Sequence, residues 1–207
     1  MAISTFAELK TAVAGWLDRD DLTAVIPDFI TLAESNFNRT IRHRKQVTRS
    51  TATIDSRYSA TPADWLQTVQ LILQTSPIQQ LEYVTNEAIN EMRAESNTAN
   101  RPRYYTHVGT EIEVYPEPDS SNGYTGELVY FAKIAALSDS NTTNWLLTLS
   151  PDIYLYGSLI ASAPYLRDDE RLAVWGTLLT QAIADLEISN ERTRGQTSVR
   201  MRAAALQ

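Results

Sequence analysis

Apolar residues recur at helical spacing towards both ends of the chain and in short alternating runs through its middle, so two kinds of element are predicted. Phe6, Leu9, Val13, Trp16 and Leu17 share one helical stripe. It opens on Thr5-Phe6-Ala7-Glu8, a capping-box pattern in which Thr and Glu satisfy each other's backbone N–H, and ends near Asp18. A second helix starts around Pro27, a residue suited to the first helical position, with Ile26, Phe29, Ile30, Ala33, Phe37 and Ile41 on one stripe. Arg42, His43, Arg44 and Lys45 close it, where positive charge suits the carbonyl end.

From Val47 to Ala132 the rhythm is different. VTRSTATI, WLQTVQLIL, IQQLEYV, RYYTHVG, EIEVY and YTGELVYFA are short, rich in Thr, Val, Ile and Tyr, and read as strands. Pro62-Ala63-Asp64, Ser76-Pro77, Pro116-Glu117-Pro118-Asp119 and Ser121-Asn122-Gly123 mark the corners. EIEVY puts Ile112 and Val114 on one face and Glu111, Glu113 and Tyr115 on the other, the pattern of a strand with one wet side. Thr85 to Glu95 interrupts the strands with a Thr cap and with Ala88, Ile89 and Met92 at helical spacing, which predicts a short helix.

Helical character returns after a Ser/Asn/Thr loop at 138–144. Ser150-Pro151-Asp152 is a start signal, since Ser caps, Pro fits the first position and Asp suits the positive end. A last long helix begins near Asp168, carries Leu172, Trp175, Leu178, Leu179, Ala182, Ile183 and Leu186, and stops at Gly195. The expected fold class is α+β, mainly α: an antiparallel helical bundle from both chain ends with an inserted β-rich subdomain. Residues 1–46 supply the N-terminal helices, 47–137 the β-rich insertion with its short helix, 138–194 the C-terminal helices and 195–207 an extended tail.

Charge changes this picture at the C-terminus. The 207 residues carry a net charge of −7, yet RTRGQTSVRMRAAALQ holds Arg192, Arg194, Arg200 and Arg202 and no acid. An acidic body with a basic tail suggests a tail that engages something else, or a solvated terminus. With no cysteine in the chain, disulfides and thiolate chemistry are excluded. The opening MAISTFAELK has no basic, long apolar leader, which predicts synthesis in a cytosol. The uncharged run from Ile153 to Leu166 is shorter than the roughly 20 residues of a membrane span and is broken by Gly157, Ser158, Ser162 and Pro164, so no membrane is expected.

The chain carries few residues placed for chemistry. His43 and His107 stand alone, without ligand spacing, so neither a metal nor any other cofactor is expected. Asp18-Arg19-Asp20-Asp21 lacks the central glycine and closing Glu of a calcium loop. No glycine-rich phosphate loop or nucleophile elbow is present, and no catalytic residue is assigned. Glu111 and Glu113 would serve a two-carboxylate hydrolase in principle, but alternation in a half-wet strand explains them. Arg39, Arg42, Arg44, Lys45 and Arg49, with Arg101 and Arg103, are the basic clusters outside the tail. At a pI of about 4.9 they do not make a specific DNA binder.

Four stretches carry a resemblance. FITLAESNFNRTIRHRKQ (29–46), Leu81-Glu82-Tyr83-Val84-Thr85, Arg101-Pro102-Arg103-Tyr104-Tyr105, and residues 126–171 from GELVYFAKIAALSDSN to YLRDDER resemble the head-to-tail adaptor (connector, tail tubular) proteins of tailed bacteriophages. The resemblance implies a structural virion protein at the head-tail junction, not an enzyme. Its subunits would form a ring, commonly of twelve, that docks on the portal protein, extends the channel for double-stranded DNA without binding it specifically, and attaches a tail nozzle or other tail proteins for genome ejection. It also implies portal contact through the C-terminal segment, here Arg194, Arg200, Met201, Arg202 and Leu206. Ring closure needs two unlike faces on each subunit. Tyr154, Leu155, Leu159 and Ile160 are therefore expected to pack one side on the terminal helices and the other on those helices or a neighbouring subunit. A small cell-wall hydrolase and a carbohydrate-binding module built on the tyrosines of the β-rich part stay as alternatives.

Overall fold

The computed structural model describes residues 3–119, 123–166 and 171–194. The chain divides into two compact units, one built from its two ends, up to Arg44 and from Ile134 onward, the other from Lys45–Lys133.

The first unit is helical. α1 (Phe6–Leu17) begins with the capping box read from the sequence: Thr5 Oγ1 accepts the Glu8 N–H at 3.3 Å and Glu8 Oε2 accepts the Thr5 N–H at 3.1 Å. It ends on Asp18, which takes the left-handed conformation at φ 54°. α2 (Ile26–Thr40) has Pro27 in its first turn and buries Ile26, Phe29, Ile30, Ala33 and Phe37. After the second unit the chain returns through α4 (Trp145–Leu149), α5 (Pro151–Ala161), α6 (Ala163–Leu166) and α7 (Leu172–Arg194). The start expected near Asp168 and the stop at Gly195 lie outside the described residues.

α5 is the hub, packed against α1, α2, α4 and α7. Its Ile153, Tyr154, Leu155 and Leu159 join Leu9, Val13, Phe37, Trp175 and Leu186 in one core. Gly157 lets α2 approach: a Cβ there would overlap the Phe37 ring, with Phe37 Cε1 at 2.8 Å. A helix with no charge beyond Asp152 in its first turn, and buried on most of its faces, thus belongs at the centre of the unit rather than on its surface.

The second unit is a pair of four-stranded sheets. One has the order β1 (Val47–Ile54), β8 (Tyr124–Ala132), β3 (Trp65–Leu73), β4 (Gln79–Gln80). The other runs β2 (Tyr58–Ala60), β7 (Glu111–Tyr115), β6 (Tyr104–Val108), β5 (Glu82–Tyr83). β5 and β6 are parallel and every other pairing is antiparallel. α3 (Asn86–Glu95) packs on β6, and its Ile89 is buried. The two sheets share a second core of Ile54, Leu71, Leu73, Leu81, Tyr105, Ile112, Val114, Leu128 and Tyr130.

This corrects the expectation of a mainly α chain, a helical bundle carrying an inserted β-rich subdomain. Among the described residues helix takes 44% and strand 23%, and the strands complete two sheets, so the architecture is a mixed α+β fold. The reason lies in pairing. β1 finds its partner β8 across the whole unit, Val47 opposite Phe131 and Ile54 opposite Tyr124, and periodicity within a strand carries no information about a partner so distant. IQQLEYV, read as one strand, is split: Gln79 and Gln80 join one sheet and Glu82 and Tyr83 the other, with Leu81 buried between them.

Candidate interaction surfaces

Two buried acids were not expected from the sequence. Glu34 on α2 is only 4% exposed. Its Oε1 accepts the Leu137 N–H at 2.8 Å and the Tyr154 hydroxyl at 3.1 Å. The Tyr154 oxygen in turn accepts from Asn144 Nδ2 at 2.6 Å, and Asn144 caps α4 by taking the Leu147 N–H at 2.9 Å. One helical turn on, Asn38 Oδ1 accepts the Ile134 N–H at 2.8 Å. α2 therefore holds the returning chain through side chains four residues apart on one helical face. Burial pushes the Glu34 carboxyl above the usual range, opposed by the hydrogen bonds from Leu137 and Tyr154. Burial and the neighbouring Glu34 push the Tyr154 hydroxyl strongly up as well.

Glu113 corrects the wet face expected for EIEVY. It is 1% exposed, and its Oε1 is shared by Arg57 Nε at 2.8 Å and by Arg93 Nη2. Glu111, on the same strand, is exposed. The two carboxylates do not face each other across a cleft, so the pairing a two-carboxylate hydrolase uses is not made by them. Arg93 comes from α3, which ties that helix to the sheet beneath it. Tyr115 adds to the tie, its hydroxyl donating to the Met92 carbonyl at 2.9 Å.

Both histidines sit in aromatic surroundings. His43 is buried and stacks on Trp145 at 5.1 Å. His107 lies 4.6 Å from the Trp65 ring with Nε2 at 3.0 Å from the Thr68 hydroxyl, and burial lowers its pKa. Among the described residues no three His, Asp or Glu side chains gather to hold a metal ion. Asp21 is bound by Arg19 at 2.6 Å. Arg42 donates to the Asn38 and Ile41 carbonyls at the end of α2, the helix-terminal role its position suggests. No helix among the described residues is long and apolar enough to cross a membrane.

The residues expected at a subunit interface fall in the interior of the first unit. Tyr154, Leu155 and Leu159 are buried among residues of their own chain, and Ile160 is half-buried at the edge of that core. Of the residues expected at the portal, Arg194 is the last of α7, and Arg200, Met201, Arg202 and Leu206 lie outside the described residues.

Exposed apolar features occur elsewhere. In the second unit a slot of about 210 Å³ opens between β1 and β2, with Ser50, Ala52 and Ala60 at its walls and Ile54, Ile112 and Leu128 beneath. β1, with eight residues, and β2, with three, belong to different sheets, and both contribute to its lining. At the other edge of the sheet that β1 ends, Ile78 is 64% exposed. Alternation would have flagged neither, because each depends on which strands end a sheet.

Residues 4–202, nearly the whole chain, match the model of a family described as SU10 adaptor protein. No curated protein matches the chain.

Proposed function

The chain belongs to the SU10 adaptor protein family, a family of phage head-to-tail adaptors, and from that premise we propose that identical subunits close into a ring on the portal protein. The role is that of a structural component of the virion, and the match over residues 4–202 is the observation that carries it. In this reading the ring, of about twelve subunits, continues the DNA channel from the head and presents its far side to a tail nozzle or other tail proteins. Double-stranded DNA passes through without specific binding, in keeping with a chain whose net charge of −7 disfavours sticking to phosphate.

The basic tail is assigned to the portal. Arg194, Arg200 and Arg202 supply charge, and Met201 and Leu206 supply apolar contact. Opposite charges on tail and body favour docking in one orientation and disfavour self-contact of the tails. Mixing the protein with portal and imaging negatively stained particles tests the reading. Rings seated on portal are expected; the absence of both ring and portal binding at every salt concentration sinks it. Deleting residues 195–207 is expected to abolish portal attachment while the thermal melt of the remainder is unchanged. Unchanged attachment removes the tail from this role.

A further inference from the structure

We infer that neighbouring copies meet in the second unit, with Ile78 of one copy seated in the slot between β1 and β2 of the next. Ile78 directly precedes β4, which ends the sheet on one side, while Ser50, Ala52 and Ile54 bring the slot's lining to β1, which ends it on the other; further lining comes from β8, β3 and the facing sheet. Within the chain Ile78 does not line the slot. Two unlike patches on opposite edges make a head-to-tail contact, the kind that generates rings.

Each half of the contact is built for an apolar partner. Ile78 is the most exposed large hydrophobic side chain among the described residues, at 64%. It stands in Gln74-Thr75-Ser76-Pro77-Ile78-Gln79-Gln80, a stretch with no charge in a chain that is 21% charged. The Thr75 hydroxyl donates to the Pro77 carbonyl at 2.7 Å and the Gln74 N–H to Thr125 at 2.8 Å, so the loop is braced before any partner arrives. The receiving slot also lacks charged side chains, and Ser50, Ala52, Ile54, Ala60, Ile112 and Leu128 give it small walls and an apolar floor. Joining two uncharged surfaces strands no ion, so apolar burial is not offset by charge desolvation. The volume of about 210 Å³ is several times the ~30 Å³ share of a water molecule, and a branched aliphatic side chain fits it.

β1 adds a second attraction. It pairs with β8 without a bulge over eight residues, contains no proline, and among the described residues no strand covers its other edge. Such an edge is a template for another chain. Gln79 and Gln80 follow Ile78 directly and would reach it. That the occupant is a second copy rests on the ring reading above.

The absence of cysteine permits a clean test, because any disulfide must come from introduced residues. In an Ile78→Cys, Ala52→Cys double variant, oxidation is expected to give a ladder of dimers, trimers and larger species on a non-reducing gel. The two single variants mixed should stop at dimers, since each then has one competent edge, and each alone should stay monomeric. Ile78→Asp, an exposed change, is expected to lose rings while its circular-dichroism melt matches wild type. No ladder, or rings intact in Ile78→Asp while wild type forms them, overturns this contact and leaves the ring reading standing. Wild type that forms no rings, with or without portal, together with no ladder in the double variant, overturns both.

Discussion

Glu34 is a buried carboxylate that, among the described residues, has no cation beside it and is held by an N–H and a hydroxyl. Its folded pKa lies above its unfolded value, so the folded state binds the proton more tightly. The stabilisation is fully present below the ordinary Glu value of 4.5 and is lost as pH rises through the folded value. Glu34→Gln keeps the acceptor and cannot ionise. Urea denaturation at several pH values is expected to show the variant gaining on wild type as pH rises from about 4.5 to 7, and a gap that does not change with pH refutes the argument. Glu34→Ala is different: it strands the donors of Leu137 and Tyr154, at about 1–3 kcal/mol for each. Glu113 gives the opposite case, a buried carboxylate with two guanidiniums. Glu113→Ala leaves two partly buried cations unpaired, and a loss of about 3–5 kcal/mol in the unfolding of the second unit is expected by the same titration. Neither acid was legible. Glu34 sits four residues after Ile30 and three before Phe37, inside the apolar stripe, but its partners lie some hundred residues later in the chain. Glu113 obeys the alternation of a wet strand and is covered because Arg93 of α3 and Arg57 close over it.

At the scale of elements the sequence is a better guide. α1 and α3 with their Thr5 and Thr85 caps, and α2 with Pro27 in its first turn, follow from the sequence, because capping and spacing are local physics. α4 was not expected, since five residues are too few for periodicity to register, although Asn144 is a proper cap. α5 was legible as a start signal and an uncharged run, but its surroundings were not: every charge-free position admits either a core or a partner, and here the core supplies most of the cover. The crossing of α5 with α2 is set by Gly157 against Phe37. Gly157→Ala gains about 1 kcal/mol in helix propensity and loses about 1–3 kcal/mol by overpacking, so a net loss is expected in thermal unfolding. Phe37→Leu should relieve part of it. A double-mutant cycle without coupling between the two positions would show that the glycine is not there for the ring.

For the whole molecule, the division at Arg44/Lys45 and Lys133/Ile134 has a consequence for folding. The second unit is one continuous segment with its own core, and its two ends are strand neighbours: Val47 pairs with Phe131 at the start of β1 and the end of β8. Opposed residues in an antiparallel pair have Cα atoms about 4.5–5.5 Å apart, so the segment begins and ends at one place. The first unit, in contrast, needs both chain ends, since α5 and α7 from the C-terminal part pack with α1 and α2 from the N-terminal part. Glu34 and Asn38 fasten the return at Leu137 and Ile134 to α2 with no residue of the second unit taking part. Residues 45–133 expressed alone should therefore melt cooperatively with a β-rich circular-dichroism spectrum. The complementary chain, with a short Gly/Ser linker from Arg44 to Ile134, should keep a helical melt. If residues 45–133 are unfolded alone while the linked helical chain folds, the sheet pair depends on the helical unit, and the separate core of Ile54, Leu73, Ile112 and Leu128 is insufficient by itself. If both fold, ring contact through Ile78 can be tested on the β unit by itself, because both edges of that contact lie within it.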